Sequence, residues 1–197
     1  MLNKTSFRSL GTAAVLAVAA GAAQAHPGHG ADGLLDGLTH PFMGVDHLLA
    51  MVAVGLWSVA ALPQGRRVAG PVVFIAMLLA GALAACAGVA LPRVETGVAA
   101  SVVMLGVLML AAGRLPAGLG LGLVAAAALL HGFAHGSELV AGQSFAAYAT
   151  GFMVGSALLH AVGLGAGAWL QTLRTGAWRA VAGLIGASGL LMLVARI

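Results

Sequence analysis

The sequence predicts an all-α membrane protein, a bundle of six transmembrane helices behind a cleavable signal peptide. Three observations carry that expectation. First, the 197 residues are 61% hydrophobic and 7% charged, with a mean hydropathy of +1.05. About a quarter of residues are charged in ordinary soluble domains; so few charges cannot cover a water-facing surface, whereas lipid needs no such cover. Second, six apolar runs at about 42–62, 68–91, 96–112, 118–137, 145–170 and 178–195 are separated by brief polar punctuation. Each is close to the roughly 20 residues that a helix needs to cross the hydrocarbon core. Third, the arginines alternate by loop. Arg66 and Arg67, then Arg114, then Arg174 and Arg179, fall in the three loops expected on the cytoplasmic side. Arg93, beside Glu95, and Arg196 fall on the other side, as the positive-inside rule requires for a chain that starts outside.

Residues 1–25 read as the signal peptide. Lys4 and Arg8 precede a short apolar core, and Ala23, Gln24 and Ala25 form an A-x-A cleavage site. Cleavage leaves His26 first in the mature chain, outside the cytoplasm. A retained anchor helix is the alternative. Residues 26–39 form a short periplasmic segment, rich in glycine and without a pattern that assigns structure. The domain proper is 40–197. Its loops place both mature termini in the periplasm, with the chain in a bacterial inner membrane.

Within the spans, prolines sit near run ends, with Pro41 expected in the first turn of the first helix and Thr39 or His40 as its cap. The 30 glycines often recur four apart, as at Gly118 and Gly122 or Gly151 and Gly155, a spacing that lets helices approach closely. Cys86 lies alone in an apolar run and reads as packing. The sequence pI near 10.7 comes from dispersed arginines with no basic stripe, so it carries topology and no nucleic-acid partner. The bilayer is the expected surrounding.

Ionisable side chains inside a span cost about 2.5–3.5 kcal/mol each on insertion scales, so their positions mark function. In the first span stand His40, Asp46 and His47; in the fourth, His131, His135 and Glu138; in the fifth, His160. His131, His135 and Glu138 follow an i, i+4, i+7 spacing that puts them on one helical face, with Gly132 and Gly136 easing the approach of a neighbour. His40 and His47 are seven apart and share nearly one azimuth, with Met43 and Met51 close to that line. Asp46 lies to one side, with two roles open to it: direct ligation, or holding a histidine tautomer. The first span descends and the fourth ascends, so both sets fall at the outer ends of their helices. Two imidazole–carboxylate half-sites at one depth point to a divalent transition metal. The alternative for any single residue is a histidine hydrogen-bonded between helices. His160 lies deeper and fits either a second station on a pathway or an interhelical hydrogen bond. His26 and His29 could capture metal loosely at the mature N-terminus, or be ordinary residues of a polar tail.

These motifs, in this order, resemble the HupE/UreJ family. Its H-x5-D-H motif is matched by His40, Asp46 and His47, and its F-H-G-x-A-H-G-x-E motif by His131, Gly132, Ala134, His135, Gly136 and Glu138. Leu130 stands where the family usually carries phenylalanine, at a packing position. The resemblance covers essentially the whole mature chain. It implies a secondary permease that brings Ni2+ across the inner membrane for NiFe hydrogenase or urease maturation. It further implies a functional link to their accessory proteins and no tightly bound cofactor. From composition and spacing alone the ion stays open among the metals that imidazole suits, Zn, Cu, Fe, Co and Ni, with the lack of thiolate against Cu(I) or an iron–sulfur cluster; Ni2+ is not separated from Co2+ or Zn2+. Two other classes compete: an intramembrane zinc hydrolase, with Glu138 or Ser137 in the chemistry, and a non-transporting sensor or chaperone subunit. Against the hydrolase, the sequence has no H-E-x-x-H or G-x-S-x-G motif, so no enzyme activity is expected.

Overall fold

The computed structural model describes residues 33–139, 142–173 and 175–197. The expected signal peptide, His26, His29 and Arg174 lie outside them. The described residues form seven α-helices and no strand: α1 (Gly33–Met43), α2 (Val45–Ala61), α3 (Ala69–Cys86), α4 (Val94–Leu110), α5 (Ala117–Ser137), α6 (Phe145–Leu170) and α7 (Thr175–Ala195), with a 3-10 turn at Gln64–Arg66. Four helices are long and apolar enough to cross a membrane. The α1–α2 pair, bent by 78° at Gly44, would make a fifth span if counted as one, and the apolar α4 has 17 residues.

The first run departs most from expectation. A helix already occupies Gly33–Met43, beginning inside the 26–39 segment to which the sequence assigned no structure, and Pro41 lies near its end instead of opening a new helix. Thr39 and His40 therefore cap nothing; the Thr39 hydroxyl donates back to the Leu35 carbonyl at 3.0 Å. Gly44, in an extended conformation, is the N-cap of α2 and offers no side-chain bond. Asp46 supplies it from inside the first turn: its Oδ1 accepts the His47 backbone N–H at 2.7 Å, and a carboxylate there also suits the positive end of the helix.

The helices associate chiefly as α3 with α5, α1 with α6, α4 with α7, and α2 with α6. Small residues set each contact. A Cβ on Gly132 would collide with the Leu78 carbonyl, and one on Gly136 would lie 2.5 Å from the Ala82 carbonyl, so α5 rests its backbone directly on α3. Gly37 and Gly151 do the same for α1 on α6, and Gly106 faces Gly186 between α4 and α7. Gly118 and Gly122 face open space, so the close-approach role expected of them is absent. It falls instead to Gly120, which lies against the Trp57 ring. Cys86 is exposed at the end of α3, its thiol directed at the Gly136 carbonyl at 3.8 Å.

This pairing gathers one set of helix ends. The starts of α2 and α4, the ends of α1 and α5 and the residues after α7 meet there, and the ionisable side chains meet with them.

Candidate metal centre

Three histidines from three helices converge. His40 near the end of α1, His47 in the first turn of α2 and His135 in the last turn of α5 each offer a ligand atom within 4.8 Å of the other two. The His135 ring lies 4.7 Å from His40 and 4.6 Å from His47, centroid to centroid. The bend at Gly44 creates the convergence. On one straight helix His40 and His47 would stack two turns apart; on two helices bent by 78° their rings lie edge to face at 5.8 Å. A Cβ on Gly44 would come within 2.9 Å of Asp46 Oδ1 and 3.1 Å of His47 Nδ1, so a larger residue at the turn would crowd both side chains beneath the site.

The partners of each ring assign its free nitrogen. His47 Nδ1 lies 2.7 Å from Asp46 Oδ1, and an ionised carboxylate only accepts, so the proton sits on Nδ1 and the buried Nε2 keeps a bare lone pair. His40 Nε2 lies 2.8 Å from Glu138 Oε2 and faces its acceptor in the same way, leaving Nδ1 for a ligand. Neither nitrogen of His135 finds a hydrogen-bond partner among the described residues, although the ring is 0% exposed. A buried polar group left unpaired costs about 1–3 kcal/mol, and such a group in a native fold calls for a ligand or another explanation. Metal–nitrogen bonds of about 2.0–2.1 Å separate tetrahedral ligand atoms by roughly 3.3 Å, a modest contraction from the spacing here.

The two carboxylates hold imidazoles. Asp46, 5% exposed, gives Oδ1 to His47 and Oδ2 to the Arg196 guanidinium at 2.8 Å. Glu138, capping the end of α5, holds His40. Burial would raise the Glu138 carboxyl, but the hydrogen bond from His40, chief among the lowering influences, helps keep the carboxyl below its ordinary value.

His131 forms a second tier. Its ring is 4.6 Å from His47. The Ser101 hydroxyl donates to the Val98 carbonyl at 2.7 Å, so toward His131 Nε2 at 3.0 Å it accepts, and His131 carries its lone pair on the unpartnered Nδ1. Phe74 lies 5.8 Å from this ring and 5.0 Å from that of His160. His160 makes no interhelical bond among the described residues; Nδ1 donates to the Ser156 carbonyl one turn back at 2.6 Å, and the buried Nε2 is unpartnered. Met43 is exposed at the bend, while Met51 packs in the core.

Sequence reasoning missed several participants. Ser101 and Arg196 touch the site from 30 and 150 residues away in the chain. Phe152 stacks on His135 at 4.7 Å and 13°, and Tyr148 flanks His40 at 6.0 Å, so α6 walls the histidines with aromatic rings.

Comparison with known proteins agrees with the motifs that build this site. The family described as HupE / UreJ protein matches residues 14–192. The chain belongs to the HupE/UreJ family. One relative is Protein HupE of Rhizobium leguminosarum bv. viciae, 41% identical over 155 residues, which are 78% of either chain. No solved structure matches. HupE/UreJ proteins are transport and accessory proteins and not enzymes, which removes the hydrolase reading.

Proposed function

We propose that this HupE/UreJ protein is a secondary Ni2+ permease of the bacterial inner membrane, supplying metal for NiFe hydrogenase or urease maturation. The observation that carries the reading is the convergence of His40, His47 and His135, each with a nitrogen lone pair free toward the others, in a family member built of apolar helices. Imidazole donors without thiolate suit Ni2+, with Co2+ and Zn2+ as competitors.

In this reading six crossings are made by α2 with its bent neighbour α1, then α3, α4, α5, α6 and α7. The signal peptide is removed and both mature termini face the periplasm. An ion entering from that side exchanges water for the three histidines, with Asp46 and Glu138 orienting them. It then passes His131 and, beyond Phe74, the lone pair of His160. Three neutral donors bind without a closed tetrahedral set, and conduction needs a site that also releases. The sequence has no G-x4-G-K-[ST] loop, so no ATP site of that kind drives transport. An inside-negative potential favours entry by about 2.3 kcal/mol per charge per 100 mV.

Uptake of labelled nickel by whole cells tests the proposal. Cells expressing the protein should accumulate nickel above an empty vector, and His47→Ala and His131→Ala should remove most of the gain. Binding without uptake would mark a sensor or chaperone instead.

A further inference from the structure

Arg196 lies just beyond the end of α7, and its side chain reaches the centre through Asp46. Its guanidinium donates to Asp46 Oδ2 at 2.8 Å and to the Glu95 backbone carbonyl at 2.9 Å, and lies 3.5 Å from Glu95 Oε2. Its own carbonyl accepts from the Thr96 hydroxyl at 3.5 Å. Backbone and side chain are thus both fastened to the start of α4, and the fork spans from there to α2. Asp46 is left with no free oxygen: Oδ2 is held by Arg196 and Oδ1 by the backbone and ring of His47.

We propose that Arg196 is a positioning residue for the metal centre: by holding Asp46 Oδ2 it keeps Oδ1 on His47 and so aims the His47 nitrogen that meets the ion. The inference rests on the metal reading given above. A buried carboxylate oxygen that loses its donor turns toward another, because leaving it unpaired is costly. When Asp46 turns, Oδ1 leaves His47 Nδ1, and the imidazole loses the contact that fixes both its tautomer and its plane. Partners of this kind, behind a metal ligand, typically contribute about 10–100-fold in affinity. The role asks for arginine specifically. Two acceptors on different helices are met at once by a planar fork, whereas the lysine ammonium is a compact point charge on a flexible stem. The same bond occupies Asp46 Oδ2 with a cation, which favours orientation over ligation for this carboxylate.

The test is Co2+ titration of the full chain in detergent micelles, with wild type beside Arg196→Ala, Arg196→Lys and His135→Ala, reading Kd, stoichiometry and the Co2+ ligand-field bands. Arg196→Ala should bind about tenfold more weakly or worse at unchanged stoichiometry, with shifted bands, and Arg196→Lys should fall between it and wild type. A tie that only fastens α7 would lower the number of competent molecules and leave the Kd and bands of the remainder unaltered; that result overturns the proposal, as does a wild-type Kd for Arg196→Ala. Should Arg196→Ala fail to fold, Arg196→Lys decides: a weakened Kd supports the proposal and a wild-type Kd overturns it. Absence of Co2+ binding by wild type, or full binding by His135→Ala, would instead overturn the metal reading itself and the proposal with it.

Discussion

Replacing His135 with leucine should make the ion-free protein more stable while destroying its affinity for metal. His135 is fully buried and both its nitrogens lack a partner among the described residues. Each unsatisfied buried polar group costs about 1–3 kcal/mol, and an apolar side chain of similar size removes that cost. Against this stands the lost stacking on Phe152, at 4.7 Å and 13°, an arrangement that contributes about 0.5–1.5 kcal/mol. With two such nitrogens the balance favours leucine by about 0.5–5.5 kcal/mol, which at about 2–4 °C per kcal/mol raises Tm by at least about a degree. The assay is thermal unfolding in detergent, first with chelator and then with Ni2+. Wild type should gain about 2.7 kcal/mol when the ion is at 100 times its Kd, and His135→Leu should gain nothing. A leucine variant less stable than wild type in chelator would refute the claim that His135 is held at a cost for a ligand. A variant that kept the Ni2+-induced rise would refute its place in the centre.

Other substitutions probe the scaffold and the carboxylates. Gly44→Ala places a methyl 2.9 Å from Asp46 Oδ1 and 3.1 Å from His47 Nδ1, so it should weaken Ni2+ binding by about tenfold in a titration while the protein remains folded. Gly132→Val drives a side chain into the Leu78 carbonyl, which cannot move without moving α3; it should cost about 1–3 kcal/mol, seen as a lowered Tm and a poor yield of monodisperse protein. The Glu138 carboxyl is held below its ordinary value, so its contribution is present in full at and above the ordinary carboxylate range and is lost as pH falls through the lowered value. The stability difference between wild type and Glu138→Gln should accordingly shrink as pH falls below that range. A difference that persists undiminished well below the carboxylate range would contradict the His40–Glu138 contact.

What the sequence revealed, and what it hid, follows from the physics of each signal. Apolar runs locate helices where lipid or core demands apolar surface, and five of the helices, α3 to α7, fall within a few residues of the runs that announce them, apart from the end of α3 at Cys86. The helix α1 lacks that signal because its contact with α6 is made by Gly33 and Gly37, whose burial adds little hydropathy. The pairing of His40 with His47 was legible, but the expected cause was not. A seven-residue spacing on one helix suggests stacked rings, whereas a break at Gly44 brings the rings together edge to face. The depth match between the two motifs came from counting spans and agrees with the histidine cluster. Arg196 and Ser101 were beyond reach: nothing local marks an arginine 150 residues from its aspartate, or one serine among many as the acceptor for a buried imidazole. Asp46 is the instructive case, since its spacing allowed either ligation or orientation, and its contact with Arg196 past the end of α7, which no local pattern announces, bears on that choice.

The central claim is that an ion bound by His40, His47 and His135 crosses the membrane through this chain. Nickel flux into vesicles reconstituted with purified protein, under an imposed inside-negative potential, tests it most directly. Vesicles with wild type should fill faster than protein-free vesicles, faster still as the potential is raised, and His135→Ala should fill at the protein-free rate. Wild-type vesicles that fill no faster than protein-free ones, or His135→Ala vesicles that fill as wild type does, would contradict it.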